Sequence, residues 1–137
     1  MNKMRRAALA LIATVLFGAT AAAAPALIVE VKCKPGTAEL WLNDFEKEIV
    51  PSIKEAIAKG DGFTGFRYAE DALPGQHFDY LLIFEAKSFG ELDTRRPFPH
   101  FTALFRRVGP DRAKQIIGEM NAWEAEVHIT LARTHTP

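Results

Sequence analysis

Tyr80-Leu81-Leu82-Ile83-Phe84 is the stretch on which the fold turns. It sits inside a strand predicted from His77 to Glu85. Side chains alternate between the two faces of a strand, so a run apolar at both odd and even positions needs cover on both sides. Upstream, Phe63 to Glu70 reads as a second short strand. The turn between the two spans Asp71 to Gln76 and carries Pro74-Gly75. Further upstream, Leu27, Val29, Val31 and Cys33 alternate with Ile28, Glu30 and Lys32, which predicts a strand over Ala26–Lys34 ending at the Pro35-Gly36 turn.

Between these strands Trp41, Phe45, Ile49, Ile53 and Ile57 recur every fourth residue, the spacing of an amphipathic helix. Thr37 stands at its cap position, Pro51 is expected to kink or divide it, and Gly60-Asp61-Gly62 stops it. Beyond Phe84, Ser88 opens a short helix to Asp93, Arg95-Arg96-Pro97-Phe98-Pro99 breaks it, and His100 to Phe105 starts another. Gly109-Pro110-Asp111 begins a helix to Trp123, with proline at a tolerated early position. Ala125 to Thr134 alternates Val127, Ile129 and Leu131, a final strand. The order is βαββαβ, an α+β ferredoxin-like unit with an antiparallel sheet. Helices cover one sheet face only. The doubly apolar third strand therefore predicts that a second copy covers the other, as a homodimer with sheets face to face.

The ends bound the setting. Met1 to Arg6 is short and positive, Ala7 to about Thr20 is apolar or small, and Ala21 to Ala24 is small-residue sequence before Pro25. These are the three parts of a secretory signal, with cleavage expected after Ala23; a retained anchor is the competing reading, since a span needs about 20 apolar residues. The short basic leader has a bacterial look, and the expected location is periplasmic or secreted. Residues 1–23 are thus expected to be the signal and 24–137 one domain. The chain has 17 basic and 17 acidic residues; losing Lys3, Arg5 and Arg6 leaves 14 against 17, a net charge of −3. That balance excludes a basic nucleic-acid surface, and no membrane contact is expected after cleavage. Cys33 is the one cysteine, so no internal disulfide staples the fold.

Val31-Lys32-Cys33-Lys34-Pro35-Gly36, a long helix, and Gly62-Phe63-Thr64-Gly65-Phe66-Arg67-Tyr68 together resemble the dimeric α/β-barrel superfamily, and within it the antibiotic biosynthesis monooxygenase (ABM) type. Leu82-Ile83-Phe84-Glu85-Ala86-Lys87-Ser88 and Pro99-His100-Phe101-Thr102-Ala103-Leu104 match the exit of strand three and the helix start of that type. The resemblance spans about Ala26 to Arg133. It implies a dimeric barrel holding a small apolar or aromatic molecule, and a cofactor-independent monooxygenase acting on an aromatic or polyketide-like substrate. A non-catalytic ligand-binding or stress-response barrel is the alternative, and an isomerase or decyclase a third. Haem-degrading relatives carry a tryptophan just after strand three and a histidine five residues before the one at this helix start. Here those places hold Ala86 or Lys87, and Arg95, so a haem ligand is not implied.

The candidate catalytic residues are His100, as a general base near neutral pH, and Tyr68. The candidate substrate-binding residues are Trp41, Phe45, Arg67 and Tyr80. Arg67 and Tyr68 alternate, so one of the two would reach a cavity between sheet and helices. Trp41 and Phe45 would line it from the long helix. Each has a plainer reading, as core aromatic, edge ion pair or helix-start histidine. Arg95, Arg96, Arg106, Arg107 and Arg112 concentrate positive charge, either for an anionic ligand or as a solvated face paired with Glu91, Asp93 and Asp111. His77, His100 and His128 lack metal-ligand spacing and no phosphate-cradling loop is present, so no cofactor is expected.

Overall fold

A computed structural model describes residues 23–71, 77–93 and 97–135. Nearly all of the expected signal, most of the turn expected over Asp71 to Gln76, and the Arg95-Arg96 pair lie outside the described residues. Four strands form one antiparallel sheet: β1 (Ala24–Cys33), β2 (Phe63–Glu70), β3 (Tyr80–Ala86) and β4 (Glu124–Thr134), in the order β2-β3-β1-β4. The helices are α1 (Ala38–Asp44), α2 (Val50–Lys59), α3 (Pro99–Val108) and α4 (Pro110–Trp123), with a 3₁₀ turn over Phe89–Leu92 where a short helix is expected from Ser88. This is the ferredoxin-like arrangement.

Pro51 divides the long helix as its chemistry requires. It has no N–H to donate and its ring crowds the carbonyl four residues back. The backbone answers one turn earlier by widening into a π turn over Phe45–Ile49, where Val50 N–H reaches Phe45 O. Gly60 then ends α2 in the left-handed conformation, φ 71°. Thr37 occupies the N-cap position of α1 but does not cap it with its side chain. Its hydroxyl instead bonds Lys34 O at 2.8 Å and Trp123 O at 3.0 Å, tying the β1–α1 loop to the end of α4.

Register fixes the two faces of the sheet. Leu27 pairs with Phe84 and Leu131, and Val31 with Tyr80 and Val127, so these side chains share the helix-covered face. The core lies there: Leu27, Val31, Leu82 and Phe84 pack under Phe45, Ile49, Ile53, Leu104 and Ile116. Each side chain of this size removed from water is worth about 1.5–3 kcal/mol. The opposite face carries an apolar centre of Ile28, Leu81 and Ile83 among Glu30, Arg67 and Glu85.

Two one-residue bulges change which side chains meet the core. In β2 the register shifts between Phe63 and Gly65, so Phe63 opposes Ala86 and joins Phe66 on the helix side. In β4 it shifts beside Ala125: Lys32 pairs with Glu126, but Cys33 pairs with Glu124. Strict alternation would have sent Glu124 to the open face. The extra residue turns it toward the helices.

Candidate functional site

The helix-side face does not close fully. A cavity of about 220 Å³ lies between sheet and helices. Leu27, Val29 and Val31 of β1 and Leu82 and Phe84 of β3 form its floor. Phe45 and Ile49 from the π turn and Ile117 and Met120 from α4 form its roof, and Phe98, His100 and Phe101 close one end. Asn121, Glu124, Val127 and Ile129 line the side where β4 runs beyond the helices. There Val127, Ile129 and Leu131 are 41–52% exposed, a large apolar fraction for side chains on the core-facing side of a strand. The volume lies between the roughly 150 Å³ void that holds benzene and the roughly 300 Å³ at which drug-sized pockets begin. It suits one or two aromatic rings.

His100 is the polar group buried deepest in this wall. Pro99 starts α3 with its fixed φ, and the next residue points into the core, 6% exposed. Its ring lies 5.4 Å from Phe84, 5.8 Å from Phe63, 5.8 Å from Phe98 and 4.2 Å from Phe101 between centroids. Burial among these rings presses its pKa down to about 3. The imidazole is therefore neutral at neutral pH, the state a base needs, but it holds a proton about a thousandfold less tightly than a solvated histidine. Nδ1 has no hydrogen-bond partner.

Glu124 is the second ionisable group in the wall. It is the first residue of β4, and the β1–α1 loop pins the junction before it: Lys34 N–H and the Thr37 hydroxyl both bond Trp123 O, and Lys34 Nζ bonds Ala122 O at 2.6 Å. Trp41 Nε1 donates to Glu124 Oε1 at 2.9 Å. Burial raises the carboxyl's pKa, and the indole bond partly offsets that.

Of the six side chains singled out from the sequence, the cavity brings together His100 and Phe45. Trp41 lies behind Phe45 in the core, stacked between Phe45 at 4.8 Å and Tyr80 at 4.9 Å. Tyr80 is 1% exposed, its hydroxyl donates to Ala38 O at 2.8 Å, and its pKa is pushed up to about 12 by burial. Arg67 and Tyr68 do point oppositely, as alternation requires. Tyr68 takes the helix side, but β2 is an edge strand, and its hydroxyl donates at the surface to Glu46 at 2.7 Å. Arg67 lies on the open face, 3.6 Å from Glu85. The described members of the arginine cluster serve the helix layer: Arg106 pairs with Glu55 at 2.6 Å, Arg107 with Ser52 and Glu48 O, and Arg112 with Glu48 at 3.9 Å. Among the described residues no lysine or arginine lines the cavity, and no group of three His, Cys, Asp or Glu could hold a metal ion. Sequence reasoning missed Asn121 and Glu124. It also passed over Phe98 and Phe101, whose place on either side of His100 was the available signal.

No protein-family model matches the sequence, and no curated protein matches it. Solved structures share the fold. A dimeric ferredoxin-like protein of unknown function from Bacteroides fragilis is 15% identical, with 81% of this chain and 96% of that one covered and a TM-score of 0.55. A dimeric ferredoxin-like protein from an uncultured marine organism is 9% identical, over 86% and 93% of the chains, with a TM-score of 0.57. An antibiotic biosynthesis monooxygenase is 15% identical, over 82% and 99%, with a TM-score of 0.51. At these identities the likeness establishes the ferredoxin-like fold.

Proposed function

We propose that this protein is an exported, homodimeric barrel that binds one small, neutral aromatic molecule in the cavity beside His100. The observation that carries the reading is a buried imidazole with an unpartnered nitrogen in a mostly apolar wall. An unmet buried polar group costs about 1–3 kcal/mol, which a hydroxyl-bearing ligand would recover. Export is supported by the basic leader, apolar run and small-residue site of residues 1–23. Among the described residues no helix is long and apolar enough to cross a membrane. Pairing is supported by the apolar centre of the open sheet face and by the dimeric state of the solved structures that share the fold.

Native mass spectrometry of the mature protein and calorimetric titration with naphthalene and a naphthol test this reading. A dimer that binds both, and an Ile117→Trp variant that stays folded and binds neither, are expected. A monomer, or a dimer that takes up no aromatic probe, overturns it.

Oxidation is the second reading, favoured by the neutral histidine in the wall and by the fold shared with an antibiotic biosynthesis monooxygenase. A phenol with a para C–H and one O₂ give a quinone and water. The substrate supplies all four electrons, so no cofactor is called for. His100 would take the phenolic proton, a task its low basicity makes slow. Stoichiometric oxygen uptake with a naphthol, lost in His100→Leu, would move the protein from binder to enzyme.

A further inference from the structure

We propose that Glu124 is the second polar anchor of this cavity and that it selects a ligand bearing a hydroxyl or N–H donor over an anionic one. The inference rests on the cavity-binding reading above. Three independent features converge on this carboxyl group.

The first is the β4 bulge. An extra residue is placed beside Ala125 and reverses the facing of a single side chain, Glu124, while Glu126 and His128 beyond it keep the open face. Bulges of this kind re-aim side chains next to sites. The second is the clamp on Oε1. Trp41 is fixed by stacking on both sides and gives its one N–H to Glu124, which orients the carboxyl group and leaves Oε2 for an incoming donor. The third is the charge of the wall. His100 is neutral there and no cation lines the cavity among the described residues, so Glu124 is the one acidic side chain of the wall with nothing cationic beside it. A carboxylate or phosphate ligand would meet like charge in an apolar setting with nothing to balance it. A phenol or an aryl amine meets an acceptor. Cys33 faces Glu124 from β1, but its thiol, pushed up to about 11 mainly by burial, adds no charge at neutral pH.

The assignment also explains why a carboxylate sits half-buried at this junction. A donor bonded to a charged acceptor is worth more than a neutral pair, and its absence is the stronger ground for rejecting a ligand.

The test is calorimetric titration of the dimer with naphthalene, a naphthol and a naphthoate at neutral pH. The wild type is expected to bind the naphthol about tenfold or more tighter than naphthalene and to bind the naphthoate weakest. Glu124→Leu should narrow that gap severalfold, leaving the part His100 contributes, while naphthalene affinity holds. Glu124→Gln keeps an acceptor for Trp41 and removes the charge, so it should raise naphthoate affinity while remaining folded. An unchanged naphthol-to-naphthalene ratio in Glu124→Leu, or unchanged naphthoate affinity in Glu124→Gln, overturns this assignment and leaves the cavity reading standing. Failure of naphthalene to bind the wild type sinks both.

Discussion

Trp41 Nε1 donates to Glu124 Oε1 at 2.9 Å across 83 residues of sequence, joining the first helix to the start of the last strand. The bond holds a structural joint and a cavity group with one proton. Glu124's pKa is raised by burial and drawn back by the indole. A carboxyl whose folded pKa lies above its unfolded value loses stability as pH rises, because the folded state holds the proton more tightly.

Trp41→Phe removes the N–H and keeps most of the ring. A loss of about 1–2 kcal/mol is expected at pH 7, and a smaller one in acid, where the carboxyl is protonated in either protein. Urea unfolding at both pH values checks it. An equal loss at the two would mean that ring volume, rather than the bond, carries the effect.

His100 has the opposite sign. Its folded pKa of about 3 lies below the ordinary value of 6.5, so the unfolded chain takes up a proton first as pH falls. Stability contributed by the neutral ring is complete above about 6.5 and is lost between there and about 3, amounting to roughly 4–5 kcal/mol at the lower end. His100→Leu should flatten that slope and lower the acid-unfolding midpoint. Circular dichroism against pH decides it; superimposable acid limbs would count against the buried neutral state.

Ile83 stands at the centre of the open sheet face. Placing a charge there, as Ile83→Asp, should yield a folded monomer by analytical ultracentrifugation, because an unpaired carboxylate would have to be buried between sheets. A variant that stays dimeric at wild-type affinity would point away from face-to-face packing.

Cys33 is 6% exposed and its thiol is pushed up to about 11, chiefly by burial. Thiolate is the reactive form, so alkylation at pH 8 should run at least about a hundredfold slower than in the urea-unfolded chain. Mass spectrometry of a timed iodoacetamide reaction reads it. Comparable rates would show that the end of β1 opens readily.

Periodicity carried much of this architecture. The alternation of Leu27 to Cys33, the fourfold spacing from Trp41 to Ile57 and the doubly apolar Tyr80–Phe84 run each report a repeating environment, which local sequence records well. The site depended on exceptions to those repeats. Glu124 shares its parity with Glu126 and His128, so alternation alone assigns it to the wrong face. The π turn before Pro51 aims Phe45 and Ile49 at the cavity, whereas helical spacing groups Trp41 with them. Alternation sends Arg67 and Tyr68 to opposite faces without saying which faces the helices, and nothing local shows that the edge strand ends Tyr68's reach at Glu46. His100 stood out as an imidazole at a helix start, while Phe98 and Phe101, which bury it, belong to no repeat that would have marked them.

The sheet order has a consequence for when the protein can exist at all. β1 is the first strand and β4 the last, yet they are neighbours along nearly their whole length, and Thr134 Oγ1 bonds Ala24 O across 110 residues. A chain emerging from the ribosome therefore holds β1 with one edge unmet until β4 arrives. Closure is late and non-local, which slows folding. For a polypeptide threaded through a membrane before it folds, as the export proposal would have it, that delay is an asset: the sheet is completed once β1 and β4 are on the same side.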